Sequence, residues 1–515
     1  MSENSFSPSI QKLPAEASGW RYLAQDRQSS QIPVSSHSVK VPLLSLIHIS
    51  DTHICDAQSP ARVEYLDRFA DPHHPAAALI GTLIGTYRAQ EILTVQVLQS
   101  MIQAINKINQ GPVTGSAIDA VLITGDLTDN AQINELQWCS TLLEGGTVKP
   151  DSGSPHQWEG AGGDRYSPFF WNPHGTPAGE RVDFPRELYG YPEIPELLDA
   201  VRAPLISPGI KHEVFPIHGN HDALLQGTVA PDEFLREFAK SNVKIVELSD
   251  EEAFRSLANV TEIGPARYPS PENPTYMPVT ADSSRDFVDA TSWSSNFSLY
   301  SKQIEVKYWR KDFDGITILA LDTVNPFGGW QGSLDQTQMN WLRAQLDSLD
   351  NRLVVITSHH PLEDLFNGYT PHIEPRVIRE EIENLLVSKK QVVAWICGHT
   401  HRHRITYFGS NPSQGFWQIE TSSLIDWPQQ GRTIEIFIDQ DNQVCIATAP
   451  FDHQGVIHQD YKRINISDID HLAGLSRELS VNDWQRRNGR FPIELNEGDP
   501  SDRAALLILN NRLKS

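Results

Sequence analysis

Five apolar runs of strand length, each ending in a short polar motif, constrain this chain more than any other feature. Val41–Ser50 (VPLLSLIHIS) leads into Asp51-Thr52-His53, and Ile118–Thr124 leads into Gly125-Asp126. Val214–His218 precedes Gly219-Asn220-His221-Asp222, Leu353–Ser358 precedes His359-His360-Pro361, and Val392–Cys397 precedes Gly398-His399-Thr400-His401. Short, continuous apolar strands suit a sheet covered on both faces. Polar groups at the C-terminal ends of such strands mark the ligand-binding edge of an α/β sheet.

Helical patterns fall between these runs. Tyr87–Asn109 repeats apolar residues at three- and four-residue spacing over about six turns. Leu334–Leu349 follows Ser333 as N-cap, and Glu374–Ser388 reads as another helix. Thr433–Ile438 and Gln443–Ala449 read as antiparallel edge strands. The expected organisation is an N-terminal arm over 1–40, one catalytic domain over 41–450, and a C-terminal extension over 451–515 packed on it, with a helix at Arg503–Leu513.

Two long irregular inserts, about 149–192 and 253–295, interrupt the domain. Loops of that length in a compact domain are lids or disordered segments. The aromatics of the first, Trp158, Tyr166, Phe169, Phe170 and Trp171, favour an ordered insert that either packs its own small core or walls off one side of the polar motifs.

Composition removes several function classes. With 42 basic against 65 acidic side chains and a net charge of −23, the chain is not built to coat nucleic acid. A small anionic substrate stays compatible with that charge, because bound metal ions set the local field. Four scattered cysteines without a CxxC pair suit a reducing compartment. No basic-then-apolar leader opens the sequence, and no apolar stretch approaches the roughly 20 residues of a membrane helix. A cytoplasmic protein without a membrane span is expected. Neither a GxxxxGK[ST] loop nor a GxSxG elbow is present, so NTPase and serine-hydrolase chemistry lack support.

The polar motifs supply carboxylates, imidazoles and one amide oxygen, the ligand set for a pair of first-row metal ions. Such a pair favours in-line displacement at phosphorus, because it clamps both the attacking and the leaving oxygen.

The five blocks, in this order, resemble the calcineurin-like metallophosphoesterase superfamily, which includes purple acid phosphatases, cyclic-nucleotide phosphodiesterases and glycerophosphodiesterases. The resemblance extends over roughly Val41 to Ala449. It implies an α/β fold, a four-layer αββα sandwich of two mixed β-sheets flanked by helices, with long loop insertions. It also implies one divalent ion on Asp51, His53, Asp126 and His401, and a second on Asp126, Asn220, His359 and His399. Asp126 would bridge, since a carboxylate offers two anionic oxygens. His360 is the alternative to His359.

By the same resemblance, His221 protonates the leaving oxygen or stabilises the transition state, and Asp222 orients His221. The implied function is hydrolysis of a small phosphomonoester or phosphodiester by a metal-bridging hydroxide; the alternative is a non-catalytic scaffold for protein interaction. Asp129 stands where ferric members of the family carry a tyrosine in a Gly-Asp-x-x-Tyr spacing. The expected metals are therefore Mn, Fe(II) or Zn. The 94 positions between Asp126 and Asn220 depart from compact family members, so the first insert is expected to overhang the metals.

Overall fold

The computed structural model describes residues 9–26, 38–75, 77, 85, 87–257, 271–289, 293, 307–349, 352–411, 413–487, 492–510 and 512. Twelve strands form two six-stranded sheets. The first contains β1 (Val39–Ile49), β2 (Ala120–Ile123), β3 (Val214–Pro216), β10 (Gln430–Asp439), β11 (Val444–Asp452) and β12 (Ala505–Leu509), in the order β12-β11-β10-β1-β2-β3. The second contains β4 (Trp309–Asp312), β5 (Ile316–Ala320), β6 (Leu353–Thr357), β7 (Val392–Cys397), β8 (Arg404–Asn411) and β9 (Gln414–Glu420), in the order β4-β5-β6-β7-β9-β8. Both are mixed: β1-β2-β3 and β5-β6-β7-β9 run parallel, and the remaining pairs are antiparallel.

Alternation along the buried strands explains the layering. Leu46, Leu122, Val355 and Ile396 face a core shared between the two sheets. Their neighbours Ile47, Val121 and Ile123 face helices α1 (Thr94–Ile105) and α2 (Ile133–Glu144). Val354, Ile356 and Trp395 face α3 (Gln336–Ser348) and α4 (Arg379–Ser388). The result is the αββα sandwich that the strand-end pattern and the family resemblance led us to expect. Each sheet is apolar on both faces, which is why its strands read as unbroken hydrophobic runs.

Several boundaries differ from the sequence reading. Tyr87–Asn109 is not one long helix: a 3₁₀ turn at Ala89–Leu93 precedes α1, which ends at Ile105. The polar residues beyond leave the helix, Asn106 donating to the carbonyl of Gly209 and accepting from the Lys211 amide. One backbone bridge accounts for two more differences. Leu334 and Val377 exchange amide hydrogen bonds of 2.9 and 2.8 Å, which holds both segments extended. Helix α3 therefore starts later and is capped by Asp335, not Ser333, and α4 begins at Arg379, not Glu374.

The expected helix at Arg503–Leu513 is corrected to a strand. Ala505–Leu509 pairs antiparallel with β11 and buries Ala505, Leu507 and Leu509 in the inter-sheet core; Asn511 and Leu513 lie outside the described residues. Because β12 takes that edge, β10 and β11 are interior strands and not edges.

Of the arm 1–40, residues 9–26 contain the hairpin Ser9–Lys12 with Leu23–Asp26, and residues 1–8 and 27–37 lie outside the described residues. Of the first insert's aromatics, Trp158 lies beside Cys55, Asp56 and Ala57 in the loop after β1, and the others pack elsewhere. Phe170, Trp171 and Tyr191 are buried with Trp20, Tyr87, Trp484 and the apolar face of α5 (Ile469–Val481). Phe169 stacks with Phe184 and under Arg68, and the Tyr166 hydroxyl bonds the carbonyl of Arg181. The insert thus ties the N-terminal hairpin and the C-terminal extension to the sandwich. Of the second insert, residues 258–270, 290–292 and 294–295 lie outside the described residues.

The strand at the C-terminus is directly testable. Leu509 is fully buried, so Leu509→Ala is expected to cost about 2–5 kcal/mol, the range for truncating a core leucine. Thermal unfolding followed by circular dichroism reads it as a Tm several degrees lower; an unchanged Tm would contradict the pairing of β12.

Candidate dinuclear metal centre

The five motifs meet at the C-terminal ends of β1, β2, β3, β6 and β7. The loops after β1 and β2 are zipped together by backbone bonds: Asp51 donates to the carbonyl of Gly125 at 3.1 Å and His53 to that of Asp126 at 2.9 Å. Asp51, His53, Asp126, His399 and His401 all adopt positive φ, between 43° and 70°. Non-glycine residues seldom take that conformation, and its clustering at one edge indicates strain held by the surrounding fold for a local purpose. Glycines permit the close approach of the loops. A Cβ on Gly125, itself at φ +89°, would lie 2.6 Å from Nδ1 of His359, and one on Gly219 would lie 2.2 Å from Oδ1 of Asp126.

The imidazoles of His53, His401 and His359 are each aimed by the bond on their other nitrogen. His53 Nδ1 bonds Asp129 at 2.9 Å, His401 Nδ1 bonds Asp426 at 2.6 Å, and His359 Nδ1 bonds the carbonyl of Thr124 at 2.7 Å. These acceptors fix the proton on Nδ1 and turn Nε2 inward. Asn220 donates its amide to the carbonyl of Gly227, which turns its oxygen inward as well. The inward atoms then face one another. His53 Nε2 is 3.2 Å from His401 Nε2, which is 3.4 Å from Asp51 Oδ1. His359 Nε2 lies 2.8 Å from the Asn220 oxygen, 3.1 Å from His399 Nδ1 and 3.2 Å from Asp126 Oδ2.

With neutral rings, acceptors therefore face acceptors across hydrogen-bond distances in a buried site. Such an arrangement repels itself unless cations sit between the groups. The donor set consequently fits metal ions, and Asp51–His53–His401 and Asp51–Asp126–His359 are among the groups whose ligand atoms lie within reach of one ion. Without metal, protons take the cations' place. Burial alone would lower His359, but the Asp126 carboxylate facing it raises it to about 9. His401 is likewise opposed by burial and raised to about 9 by Asp426 and Asp51.

The structure refines several residue roles. Asp126 does not present one oxygen to each histidine set. Its Oδ1 accepts the His221 amide at 2.8 Å, while Oδ2 alone faces His359 at 3.2 Å and His53 at 3.7 Å. His360 has both ring nitrogens engaged, Nε2 with the carbonyl of Trp330 at 2.9 Å and Nδ1 with Thr323 at 2.7 Å, and it lies with His359 and His399 in one group whose ligand atoms are within reach of one ion. His359, whose Nε2 is uncommitted to any donor, is the residue whose geometry fits. His48 bonds Thr124 and Thr421 in the core, as expected of a strand histidine.

Asp222 does not orient His221. Its carboxylate accepts the amides of Leu127, Thr128 and Gly219, so it holds the loops after β2 and β3 together. The His221 ring instead donates Nδ1–H to the carbonyl of Asp129 at 2.6 Å and packs against His53, ring centroids 4.5 Å apart. Burial lowers His221 to about 4 despite the pull of Asp126, leaving the ring neutral with a lone pair on Nε2.

Two buried carboxylates, Asp129 and Asp426, were not recognised as ring supports from the sequence. Asp129 is held by Arg62 and, at 3.2 Å, by Arg88; Asp426 is held by Arg486 and His401. Burial opposes both charges, yet these cations keep both carboxyls well below the usual range. Asp129, at the position of the absent tyrosine, also lies with His53 and His221 in a group whose ligand atoms are within reach of one ion. Asp129 carried a signal, its place three residues after Asp126. Asp426 lies 25 positions beyond His401 with no motif around it, and only the fold brings it to the ring.

Residues 184–403 match the family model for calcineurin-like phosphoesterases, a stretch that contains Asn220, His221, His359, His399 and His401. An 87-residue segment is 31% identical to the probable glycerophosphodiester phosphodiesterase GpdQ of Arcobacter nitrofigilis, covering 17% of this chain and 32% of that protein, so it spans about a third of the relative's length. Among solved structures, a dimetal phosphatase from Danio rerio aligns at 12% identity over 80% of this chain and 99% of its own, with a TM-score of 0.33. Purple acid phosphatase PPD1 from yellow lupin seeds aligns at 10% identity over 85% and 55%, with a TM-score of 0.31. The matched stretch runs from the approach to β3 through the histidines after β7, and over those residues this chain is similar to a calcineurin-like phosphoesterase domain.

Proposed function

We propose that this protein is a dinuclear metal-dependent phosphoesterase. The observation that carries the reading is the convergence of buried carboxylate, amide and imidazole acceptors to within hydrogen-bond distance of one another. Asp51, His53, Asp126 and His401 would hold one ion, and Asp126, Asn220, His359 and His399 the other, with Asp126 Oδ2 shared. Two first-row divalent ions bound there, Mn, Fe or Zn, supply Lewis acidity toward phosphoryl oxygens and activate water near neutral pH. Donors at every position, Asn220 and His221 included, favour catalysis over a non-catalytic scaffold.

This chain's own residues would do the rest. Asp129, Asp426 and the Thr124 carbonyl keep the rings of His53, His401 and His359 in the tautomer that leaves Nε2 unprotonated for ligation. Asp222 keeps the loop bearing Asn220 and His221 against the loop bearing Asp126. His221, largely buried with its Nδ1 proton held by the Asp129 carbonyl, has its Nε2 beside Gly227. An arriving phosphoryl anion raises the ring's affinity for a proton on Nε2, and that proton is then available to the leaving oxygen.

An activity panel on the metal-loaded protein, spanning phosphomonoesters and phosphodiesters, tests the function itself; no hydrolysis of any ester would sink it. Asp126→Asn is expected to lose both ions together, because the shared oxygen loses its charge. Elemental analysis that finds two ions per chain retained at wild-type affinity would refute the bridging role.

His221→Ala is expected to keep its metals and lower kcat by about 10²–10⁴. The deficit should shrink for p-nitrophenyl esters, whose leaving group needs no protonation. Equal losses on alkyl and p-nitrophenyl esters would make His221 a phosphate-positioning residue.

Metal uptake should also be coupled to protons. His359 and His401 titrate at about 9 in the metal-free protein, so both are protonated at neutral pH and must lose a proton to become ligands. Affinity should therefore fall as pH drops below about 9, with protons released on binding. Calorimetric titrations in buffers of different ionisation enthalpy measure that release, and its absence at neutral pH would contradict the assignment.

A further inference from the structure

One side chain beside the centre has no role in the account above. Arg402 lies between His401, whose ring faces Asp51, and His403, whose backbone amide bonds the carbonyl of Asn496. Among the arginines whose side chains the structure describes, it alone makes neither a hydrogen bond nor an ion pair. The other arginines around the site are all committed. Arg62 is paired with Asp129 and Glu91, Arg88 with Glu91 and Asp129, Arg404 with Glu420 and Glu363, and Arg486 with Asp426.

Arg402 is not simply a solvated surface residue. It is half-buried, and its Nε is shielded from solvent without a partner. Withdrawing part of a guanidinium from water without a compensating acceptor is unfavourable. Its position is also determined, since His401 and His403 are pinned on either side and Arg404 opens β8 in an ion pair with Glu420. The Asp364 carboxyl, in the turn that follows His359 and His360, feels Arg404 most and Arg402 and His359 less, and makes no ion pair with Arg402 among the described residues. A half-buried guanidinium without an ion-pair or hydrogen-bond partner, on the residue that directly follows the candidate ligand His401, is suited to a bidentate oxyanion.

We propose that Arg402 forms an anion subsite beside the dinuclear centre, recognising an oxyanion of the substrate beyond the single charge of a simple phosphodiester. This rests on the phosphoesterase reading and narrows its substrate class. The oxyanion has two possible sources: the second ionised oxygen of a phosphomonoester, or a carboxylate or phosphate on the alcohol arm of a diester.

The test compares metal-loaded wild-type protein with Arg402→Gln at matched metal content, on p-nitrophenyl phosphate and on ethyl and carboxyethyl p-nitrophenyl phosphodiesters. The preference in kcat/KM for a substrate with the extra charge over the ethyl diester is expected to fall about 10- to 100-fold, the worth of a hydrogen bond to a charged group. The change should sit mainly in KM. Arg402→Lys should recover part of it, keeping the charge and losing the fork.

A loss confined to the monoester assigns the phosphoryl oxygen as source, and one confined to the carboxyethyl diester assigns the distal group. Unchanged preference, or equal loss on all three substrates, overturns the proposal while leaving the phosphoesterase reading standing. A wild-type protein that cleaves none of these esters defeats that reading instead. Calorimetric binding of phosphonoacetate, which carries both a phosphonate and a carboxylate, then still decides the subsite: equal affinity for wild type and Arg402→Gln overturns it.

Discussion

A single carboxylate oxygen, Oδ2 of Asp126, lies between the two sets of histidines, 3.2 Å from His359 and 3.7 Å from His53. Everything around it serves to keep it there. Its partner Oδ1 is tied to the amide of His221, so the loop after β3 reports to the loop after β2. Gly219 has no side chain because a Cβ there would occupy the position of that carboxylate. The left-handed backbone at Asp126 turns the side chain away from its own strand and into the gap between the sheets' ends. Local strain of this kind is stable only where the flanking structure over-determines it, and here the flanking structure is three adjacent parallel strands.

A site made of converging acceptors demands a second layer of opposite charge. Asp129 and Asp426 supply negative charge behind His53 and His401, and Arg62, Arg88 and Arg486 neutralise those carboxylates in turn. Removing one member of such a buried set leaves an uncompensated charge, which costs more than an intact pair contributes. The second histidine set is supported differently, with the neutral carbonyl of Thr124 behind His359. The two halves therefore differ in what backs their rings, carboxylates behind His53 and His401 and a backbone carbonyl behind His359. Arg402 stands apart from this neutralised network, which is why its uncommitted guanidinium points to a ligand and not to the fold.

The inserts and the C-terminal segment contribute from outside the sandwich. Arg486 reaches Asp426 from the helical turn that follows α5, and Trp484 of the same turn packs with Tyr191 and Tyr87. Phe170, Trp171 and Tyr191 of the first insert thus help tie the chain's extremities to the sandwich. That arrangement leaves the rim to Trp330, which stacks on His399 at 5.7 Å, and to Phe366 packed against it.

Strand runs such as Val392–Cys397 and motifs such as Gly219-Asn220-His221 were readable directly, because burial on both faces and ligation at strand ends each impose a local pattern on residue type. Boundaries that depend on a distant partner were not readable. The start of α3 and of α4 follows from the bridge between Leu334 and Val377, and the strand at Ala505–Leu509 exists because β11 presents an open edge to it. The same division runs through the site. The identity of Asp51, His53, Asp126, Asn220, His359, His399 and His401 as candidate ligands is a property of spacing along the chain. The engagement of both His360 ring nitrogens, the bonds of Asp222 to the amides of Leu127, Thr128 and Gly219, and the placement of Asp129 and Asp426 behind the rings come from tertiary structure alone. A side chain's type limits what it can bind, but which of its lone pairs remains free depends on neighbours that may be hundreds of residues away.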